Sequence, residues 1–199
     1  MVIQPAKTER PRHFVFVLLP NFSMLSFACA IEAFRIANRM AERELYSWTL
    51  AAEGGETVQC SSGITYQVDQ DLEETNRDDT VLLCGGIGVQ ESSTKRLLNW
   101  IRREARRGVT LGGLCTAAYT LAKAGLLDGK KATIHWENQD SFLEEFQEVD
   151  LTKSVFVIDG NRITTAGGTS SIDLMLKIIA QDHGEDLASL TADQLIYSS

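Results

Sequence analysis

Six consecutive apolar residues near the start of the chain, Phe14 to Leu19, most constrain how this sequence can fold. The run contains aromatic and β-branched side chains and ends at Pro20. Because polar residues do not alternate with apolar ones here, the run predicts a strand buried on both faces, as in the centre of a parallel sheet. Apolar residues then recur at helical spacing from Phe27 to Met40, which predicts a helix packed on that strand.

The same alternation of strand and helix continues along the chain. Further strands are predicted over 46–52, 81–84, 109–111, 132–134, 155–158 and 162–166, and a small strand excursion over 64–68. Further helices are predicted over 94–107, from 117 to about 127, over 142–146 and from 168 onward, and Asp159-Gly160-Asn161 marks a hairpin. The pattern predicts an α/β fold, a doubly wound and mostly parallel sheet with helices on both faces. We expect a flexible tail over residues 1–13 and a single domain over 14–199.

Composition excludes several classes of protein. With 199 residues, 44% of them hydrophobic, the chain can bury a core, and it has no apolar stretch long enough to span a membrane. Without a signal peptide we expect it in the cytoplasm. A net charge of −8 is the wrong sign for binding DNA or an anionic membrane directly. The four cysteines form no C-x-x-C pair, so we expect free thiols and no metal site.

The most informative local pattern is Gly113-Leu114-Cys115-Thr116-Ala117, in which a cysteine lies where a buried strand turns into a helix. Small residues on either side permit a sharp elbow, and a helix N-terminus can lower the pKa of a thiol and make it a nucleophile. The alternative is that Cys115 is only a small buried residue at a tight turn.

A second candidate, His135-Trp136-Glu137, follows the next predicted strand, at the edge where parallel sheets collect ligands. His135 could then act as a base towards Cys115, with Glu137 orienting the imidazole. The alternative is that His135 is a solvated side chain or is hydrogen-bonded within the core.

Several motifs in order resemble the class I glutamine amidotransferase-like superfamily, in its PfpI-type branch. They are Asn21–Leu25, Ile31–Phe34, Cys84-Gly85-Gly86, the elbow at Cys115, Ala124–Gly129, Thr133–Glu137 and Thr165–Gly168 with Asp173. The resemblance covers residues 14–197 and is greatest to the effector domains of AraC-family transcriptional regulators that control catabolism of arginine, carnitine, glycine betaine and related amines.

The resemblance implies a flavodoxin-like domain that forms a homodimer and precedes a C-terminal helix-turn-helix DNA-binding domain, which we expect to be absent from this chain. It implies a sensor of a small effector (an amine, a betaine or an amino acid), with no cofactor and no membrane partner. Related enzymes carry an acid in the turn after the first strand, where this chain has Ser26. We therefore expect a non-catalytic relative. The alternative is a cysteine-dependent amidase, hydrolase or hydratase that uses Cys115, His135 and Glu137.

The predicted effector site combines groups for a carboxylate with groups for a cation. Backbone N–H groups at the elbow and at Gly85-Gly86 would bind the carboxylate. Aromatic faces from Trp136 with Phe22 or Tyr119, and a carboxylate from Glu137 or Glu32, would bind the cation. The complete set is Asn21, Phe22, Glu32, Gly85, Gly86, Cys115, Thr116, His135, Trp136 and Glu137. The alternative is that the aromatic rings belong to the core or an interface and that the two glycines only turn the chain.

Overall fold

A computed structural model describes residues 10–197 of the chain. Its strands are β1 (Arg12–Leu18), β2 (Tyr46–Ala51), β3 (Thr57–Gln59), β4 (Thr65–Gln67), β5 (Thr80–Cys84), β6 (Thr110–Leu114), β7 (Lys131–Ala132), β8 (Asp150–Leu151), β9 (Phe156–Asp159) and β10 (Arg162–Thr165). Its helices are α1 (Met24–Met40), α2 (Val89–Ser92), α3 (Lys95–Arg106), α4 (Ala118–Lys123), α5 (Gln139–Glu145), α6 (Ser170–His183) and α7 (Glu185–Gln194), and a 3₁₀ turn covers Trp136–Asn138.

Six strands form the central sheet in the order β2-β1-β5-β6-β10-β9. All neighbouring pairs are parallel except β10 with β9, which form the predicted hairpin. The predicted α/β class with a mostly parallel sheet is confirmed. Because β2 lies on one side of β1 and β5 on the other, the chain reverses its direction of winding between β1 and β5. The carboxyl ends of those two strands therefore border the crevice where folds of this kind bind ligands.

Strand β1 lies between two hydrophobic clusters, as its apolar run predicts. Phe14, Phe16 and Leu18 pack in one cluster with residues of α1 and α6. Val15 and Val17 pack in the other with residues of α3 and α4. Alternate side chains of a strand point to opposite faces, so a strand covered by helices on both sides must be apolar at every position.

The ends of the elements differ from the predictions in several places. Strand β1 begins at Arg12, inside the predicted tail, and residues 1–9 of that tail lie outside the described residues. Helix α1 begins at Met24 because Ser23 caps it: its hydroxyl accepts a hydrogen bond from the Ser26 N–H at 3.3 Å. The last predicted helix, through Leu174, Leu176 and Ile179, is α6; helix α7, which the sequence pattern does not predict, follows Gly184, whose φ of +96° separates the two.

The strand predicted over 132–134 is not part of the central sheet. Only Lys131–Ala132 form β7, which pairs with β8 in a separate two-stranded sheet. The predicted excursion near residue 64 is the antiparallel pair β3 and β4. No helix within residues 10–197 has the length and apolar character needed to cross a membrane.

Candidate functional site

Cys115 occupies a strained turn between β6 and α4. Its φ is +62°, a left-handed conformation that costs a residue with a side chain about 1–2 kcal/mol. Neighbouring backbone approaches so closely that a Cβ atom added at Gly113 would lie 2.7 Å from the Ala118 nitrogen. A Cβ added at Gly167 would lie 2.7 Å from the Cβ of Cys115 itself. The small residues of the motif therefore form the elbow that their spacing predicts.

The surroundings of Cys115 disfavour deprotonation of its thiol. The residue is only 6% exposed, and burial raises the pKa of its thiol above the ordinary value. The Thr116 backbone and the Ser26 hydroxyl favour the thiolate but do not outweigh burial, and the charge of Glu137 raises the pKa further. The start of the helix does favour the thiolate through the Thr116 backbone, but desolvation is the larger effect and the net shift of the pKa is upward, as the alternative of a buried thiol at a tight turn predicts.

A backbone hydrogen bond places His135 beside the elbow; the strand that precedes it does not belong to the central sheet. The His135 N–H donates to the carbonyl oxygen of Cys115 at 3.2 Å. Its Nδ1 lies 3.9 Å from Oε2 of Glu137. Among residues 10–197 the imidazole forms no hydrogen bond with the Cys115 thiol. Cysteine, histidine and glutamate are thus neighbours without forming a hydrogen-bonded relay.

Ser26 is the residue that the resemblance places where related enzymes carry an acid. Its Oγ accepts a hydrogen bond from the Gly168 N–H at 2.7 Å and lies 3.2 Å from Oγ of Ser23. The side chain is buried and joins the start of α1 to the loop before α6. A hydroxyl here cannot supply the carboxylic acid that those enzymes use.

These residues surround a cavity of about 380 Å³, which we call the cysteine cavity. It is lined by Ser23, Ser61, Gly86, Ile87, Gly88, Val89, Gln90, Cys115, Thr116, His135, Glu137 and Asn138. Five of the predicted site residues meet here: Gly86, Cys115, Thr116, His135 and Glu137. The Thr116 hydroxyl donates to the carbonyl oxygen of Gly86 at 2.8 Å, so the elbow and the loop after β5 form a continuous wall.

The other five predicted site residues do not line the cysteine cavity. Phe22 is fully buried in the core, and Gly85 is buried in the strand end. The carboxylate of Glu32 pairs with Arg35 at 2.6 Å on an exposed part of α1, and this hydrogen bond lowers its pKa. Trp136 is 71% exposed beside the His135 ring but does not line the cavity. Asn21 lines a neighbouring cavity instead.

That neighbouring cavity has a volume of about 930 Å³ and lies beyond the carboxyl ends of β1 and β2; we call it the β1–β2 cavity. It is lined by Val17, Leu18, Leu19, Pro20, Asn21, Ala52, Glu53, Thr57, Val58, Gln59, Gly88, Glu91, Ser92, Thr94 and Leu97. Gly88 lines both cavities.

Several lining residues of the cysteine cavity were not predicted. Ser23 and the loop Ile87–Gln90 follow β1 and β5, the two strands between which the winding reverses, so the order of strands would have indicated them. Ser61 comes from the turn between β3 and β4, and no sequence signal marks it. Within the described chain no group of His, Cys, Asp or Glu side chains is placed to hold a metal ion.

A sequence profile of the DJ-1/PfpI family matches residues 15–181. The chain belongs to the DJ-1/PfpI family. The predicted resemblance to PfpI-type domains is thereby confirmed. The elbow and the cysteine cavity lie within the matched residues of this DJ-1/PfpI domain.

The relatives of this DJ-1/PfpI chain include regulators and an enzyme. It is 44% identical over 183 residues to the HTH-type transcriptional regulator CdhR of Pseudomonas aeruginosa, covering 92% of this chain and 54% of the relative. It is 32% identical over 142 residues to the isonitrile hydratase of Pseudomonas putida, covering 71% of this chain and 61% of the enzyme. The chain spans about half the length of the curated regulators it matches.

A solved structure shows the same fold. The crystal structure of an AraC family transcriptional regulator from Pseudomonas putida superposes with a TM-score of 0.80 at 28% identity, covering 93% of this chain and all of that one. The flavodoxin-like arrangement of this DJ-1/PfpI chain is therefore shared with a regulator.

Proposed function

We propose that this chain is the ligand-sensing domain of an AraC-family transcriptional regulator, and that it binds a small nitrogenous metabolite in the cysteine cavity. The observation that carries the proposal is the geometry around Cys115: a buried thiol without a hydrogen-bonded base, in a cavity with polar and acidic walls. Similarity to regulators over most of the chain supports it. In this proposal the residues inherited from an enzyme fold serve as the wall of a binding site.

The cavity offers complementary groups for an amino acid or a betaine. Glu137 places a carboxylate on the lining, which would be the counterion of a cationic nitrogen. At the elbow the Cys115 N–H already donates to the Thr165 hydroxyl at 3.4 Å and the Ala117 N–H to the Leu114 carbonyl at 3.2 Å. The Thr116 N–H beside the thiol would therefore be the donor for a ligand carboxylate. We assign no contact to Glu32, whose carboxylate is already paired with Arg35.

Thermal unfolding of the purified chain with amino acids, betaines, carnitine and polyamines tests this proposal. A ligand at 100 times its dissociation constant should stabilise the native state by about 2.7 kcal/mol. Glu137→Gln should remove the shift produced by a cationic ligand, whereas Glu144→Gln, a matched exposed carboxylate outside the cavity, should preserve it. Cys115→Ser should also preserve it, since a thiol that only lines the cavity tolerates a hydroxyl.

The second candidate function is a cysteine-dependent amidase, hydrolase or hydratase. The strained φ of Cys115 and the similarity to isonitrile hydratase favour it. In that case the chain should turn over a simple amide or an isonitrile supplied as substrate. Both Cys115→Ser and His135→Ala should abolish the turnover. Such a result would replace the sensor proposal.

The remainder of the proposed regulator lies outside this chain. We propose that a C-terminal helix-turn-helix domain binds the DNA, that the protein acts in the cytoplasm as a homodimer, and that effector binding shifts an equilibrium between two states of the dimer. The effector must then bind one state more tightly than the other. In the complete regulator, the metabolite that stabilises this domain should change the affinity for operator DNA, and an unchanged affinity would contradict the sensor role.

A further inference from the structure

The β1–β2 cavity has the shape and size of a binding site for a small organic ligand. Its volume of about 930 Å³ is more than twice that of the cysteine cavity and falls within the range of about 300–1,000 Å³ found for ligand pockets. It lies at the carboxyl edge of the parallel sheet, where such folds bind their ligands. It adjoins the cavity in which we place the effector, since Gly88 lines both, but within residues 10–197 the two share no other lining residue.

The inner part of this cavity is apolar. Val17, Leu19 and Leu97 come from the cluster between the sheet and α3, and Ala52 and Val58 belong to the opposite cluster. All five are at least nine-tenths buried. A surface of this kind favours a ligand with a hydrocarbon part, because that part leaves water on binding.

The charged side chains that line the cavity are both acidic. Glu53 comes from the end of β2 and Glu91 from α2, and no Lys or Arg is among the lining residues. Neither carboxylate lies within 4 Å of a basic group in the part of the chain that the structure describes. Two uncompensated carboxylates beside an apolar floor favour a cation and disfavour an anion.

A neighbouring hydroxyl holds one of the two carboxylates at the cavity without neutralising it. The Thr94 hydroxyl donates to Oε2 of Glu53 at 2.6 Å. Glu53 helps to raise the pKa of Arg96, but the Arg96 guanidinium pairs with Asp71 at 2.6 Å. Glu91 reaches Gly88: a Cβ added at Gly88 would lie 3.3 Å from Oε2 of Glu91. Glu91 therefore lies where the two cavities meet.

We propose that the β1–β2 cavity is a second ligand site, which takes an organic cation with an aliphatic part. The hydrocarbon part lies on Val17, Val58 and Leu97, and the ammonium group lies between the carboxylates of Glu53 and Glu91. Occupancy of this site does not require the effector in the cysteine cavity. The proposal can therefore be tested independently of the sensor proposal.

Three probes of equal chain length test the charge preference: hexylammonium, hexanol and hexanoate, titrated calorimetrically into the purified 199-residue chain. Hexylammonium should bind more tightly than hexanol by about tenfold, and hexanoate should bind more weakly than either. The advantage of hexylammonium over hexanol should decrease as salt is added, because both carboxylates are exposed. Methyl NMR shifts should place the probe against Val58 and Leu97.

Substitutions then locate the cation. The double variant Glu53→Gln/Glu91→Gln should bind hexylammonium and hexanol equally, while Glu56→Gln, an exposed carboxylate on the same segment outside the lining, should keep the tenfold difference. Equal binding of the three probes by the unsubstituted chain, or no binding of any of them, overturns the proposal. A preference that survives the double variant and disappears in Glu137→Gln also overturns it, because the cation then lies in the cysteine cavity; that result would leave the sensor proposal intact.

Discussion

Cys115 combines the backbone of a nucleophilic elbow with the environment of a buried thiol. Its left-handed φ exposes the side chain to the cavity, yet burial raises its pKa and leaves the thiol protonated at neutral pH. Reactivity therefore depends on how much thiolate the solution pH produces.

Alkylation of Cys115 by iodoacetamide should be slow at neutral pH and increase about tenfold for each unit of pH. Because the pKa is raised, this increase should continue beyond pH ~8.5, where an ordinary free thiol already approaches its plateau. Peptide-resolved mass spectrometry measures the rate at each pH. A plateau reached below pH ~7 would show an activated thiolate instead and would favour the hydrolase.

Gly167 and Gly168 offer a matched pair for measuring how tightly the elbow is packed. Both have a positive φ, so alanine at either position costs about 1 kcal/mol in backbone strain. A Cβ at Gly167 would also collide with Cys115, whereas a Cβ at Gly168 would meet nothing within 4 Å. Gly167→Ala should therefore lower the free energy of unfolding by 1–3 kcal/mol more than Gly168→Ala, measured by urea denaturation. Equal losses would mean that the elbow yields to the added methyl group.

The helices and strands that position the site were largely predictable from hydrophobic pattern. Strand β1 is apolar from Phe14 to Leu18 because both faces are buried there, and the β9–β10 hairpin follows from Asp159-Gly160-Asn161. The position of His135 was predictable only in part. His135 does lie next to Cys115. This proximity depends on a backbone hydrogen bond and not on a strand of the central sheet. A two-residue strand carries too little periodicity to reveal its partner.

Helix α3 is rich in arginine but also carries a buried acid. Glu104 has no exposed surface, although Arg103 precedes it and Arg106 and Arg107 follow it in the sequence. Its carboxylate accepts hydrogen bonds from Arg107 at 2.6 Å and from the Thr75 hydroxyl at 2.9 Å. It thereby connects α3 to the loop before β5. Helical periodicity places Glu104 near the apolar stripe but cannot show that a partner is available there.

Glu104→Gln should destabilise the chain by about 2–3 kcal/mol, because Arg107 would lose its buried counterion and keep only the exposed Glu74, at 3.1 Å. For a chain of this size that loss corresponds to a decrease in Tm of roughly 5–10 °C, measurable by circular dichroism. Glu144→Gln, on an exposed face of α5, should leave Tm unchanged. A Tm for Glu104→Gln equal to that of the unsubstituted chain would show that the buried pair contributes no net stability.

For the chain taken as a unit, the net charge of −8 governs what it can approach. A surface with this excess of carboxylates repels the phosphates of DNA at the salt concentration of a cell. The proposed regulator must therefore contact its operator through a segment of opposite charge outside these residues.

Residues 1–199 alone should not retard duplex DNA in a gel at about 150 mM salt, with or without the metabolite that stabilises the domain. Fusion of a positively charged helix-turn-helix domain to this chain should produce retardation of the DNA. Retardation by residues 1–199 that weakens as salt increases would reveal a basic contact surface and contradict the expectation from net charge.

The turn after β1 separates the two cavities with three consecutive residues. Asn21 faces the β1–β2 cavity, Ser23 faces the cysteine cavity, and Phe22 between them is fully buried and anchors the turn. Substitution at position 21 or 23 therefore alters one cavity while the anchor preserves the other. For the two proposed ligand sites, this arrangement would let the specificity of each change through its own residue of the turn, while Gly88 remains common to both cavities.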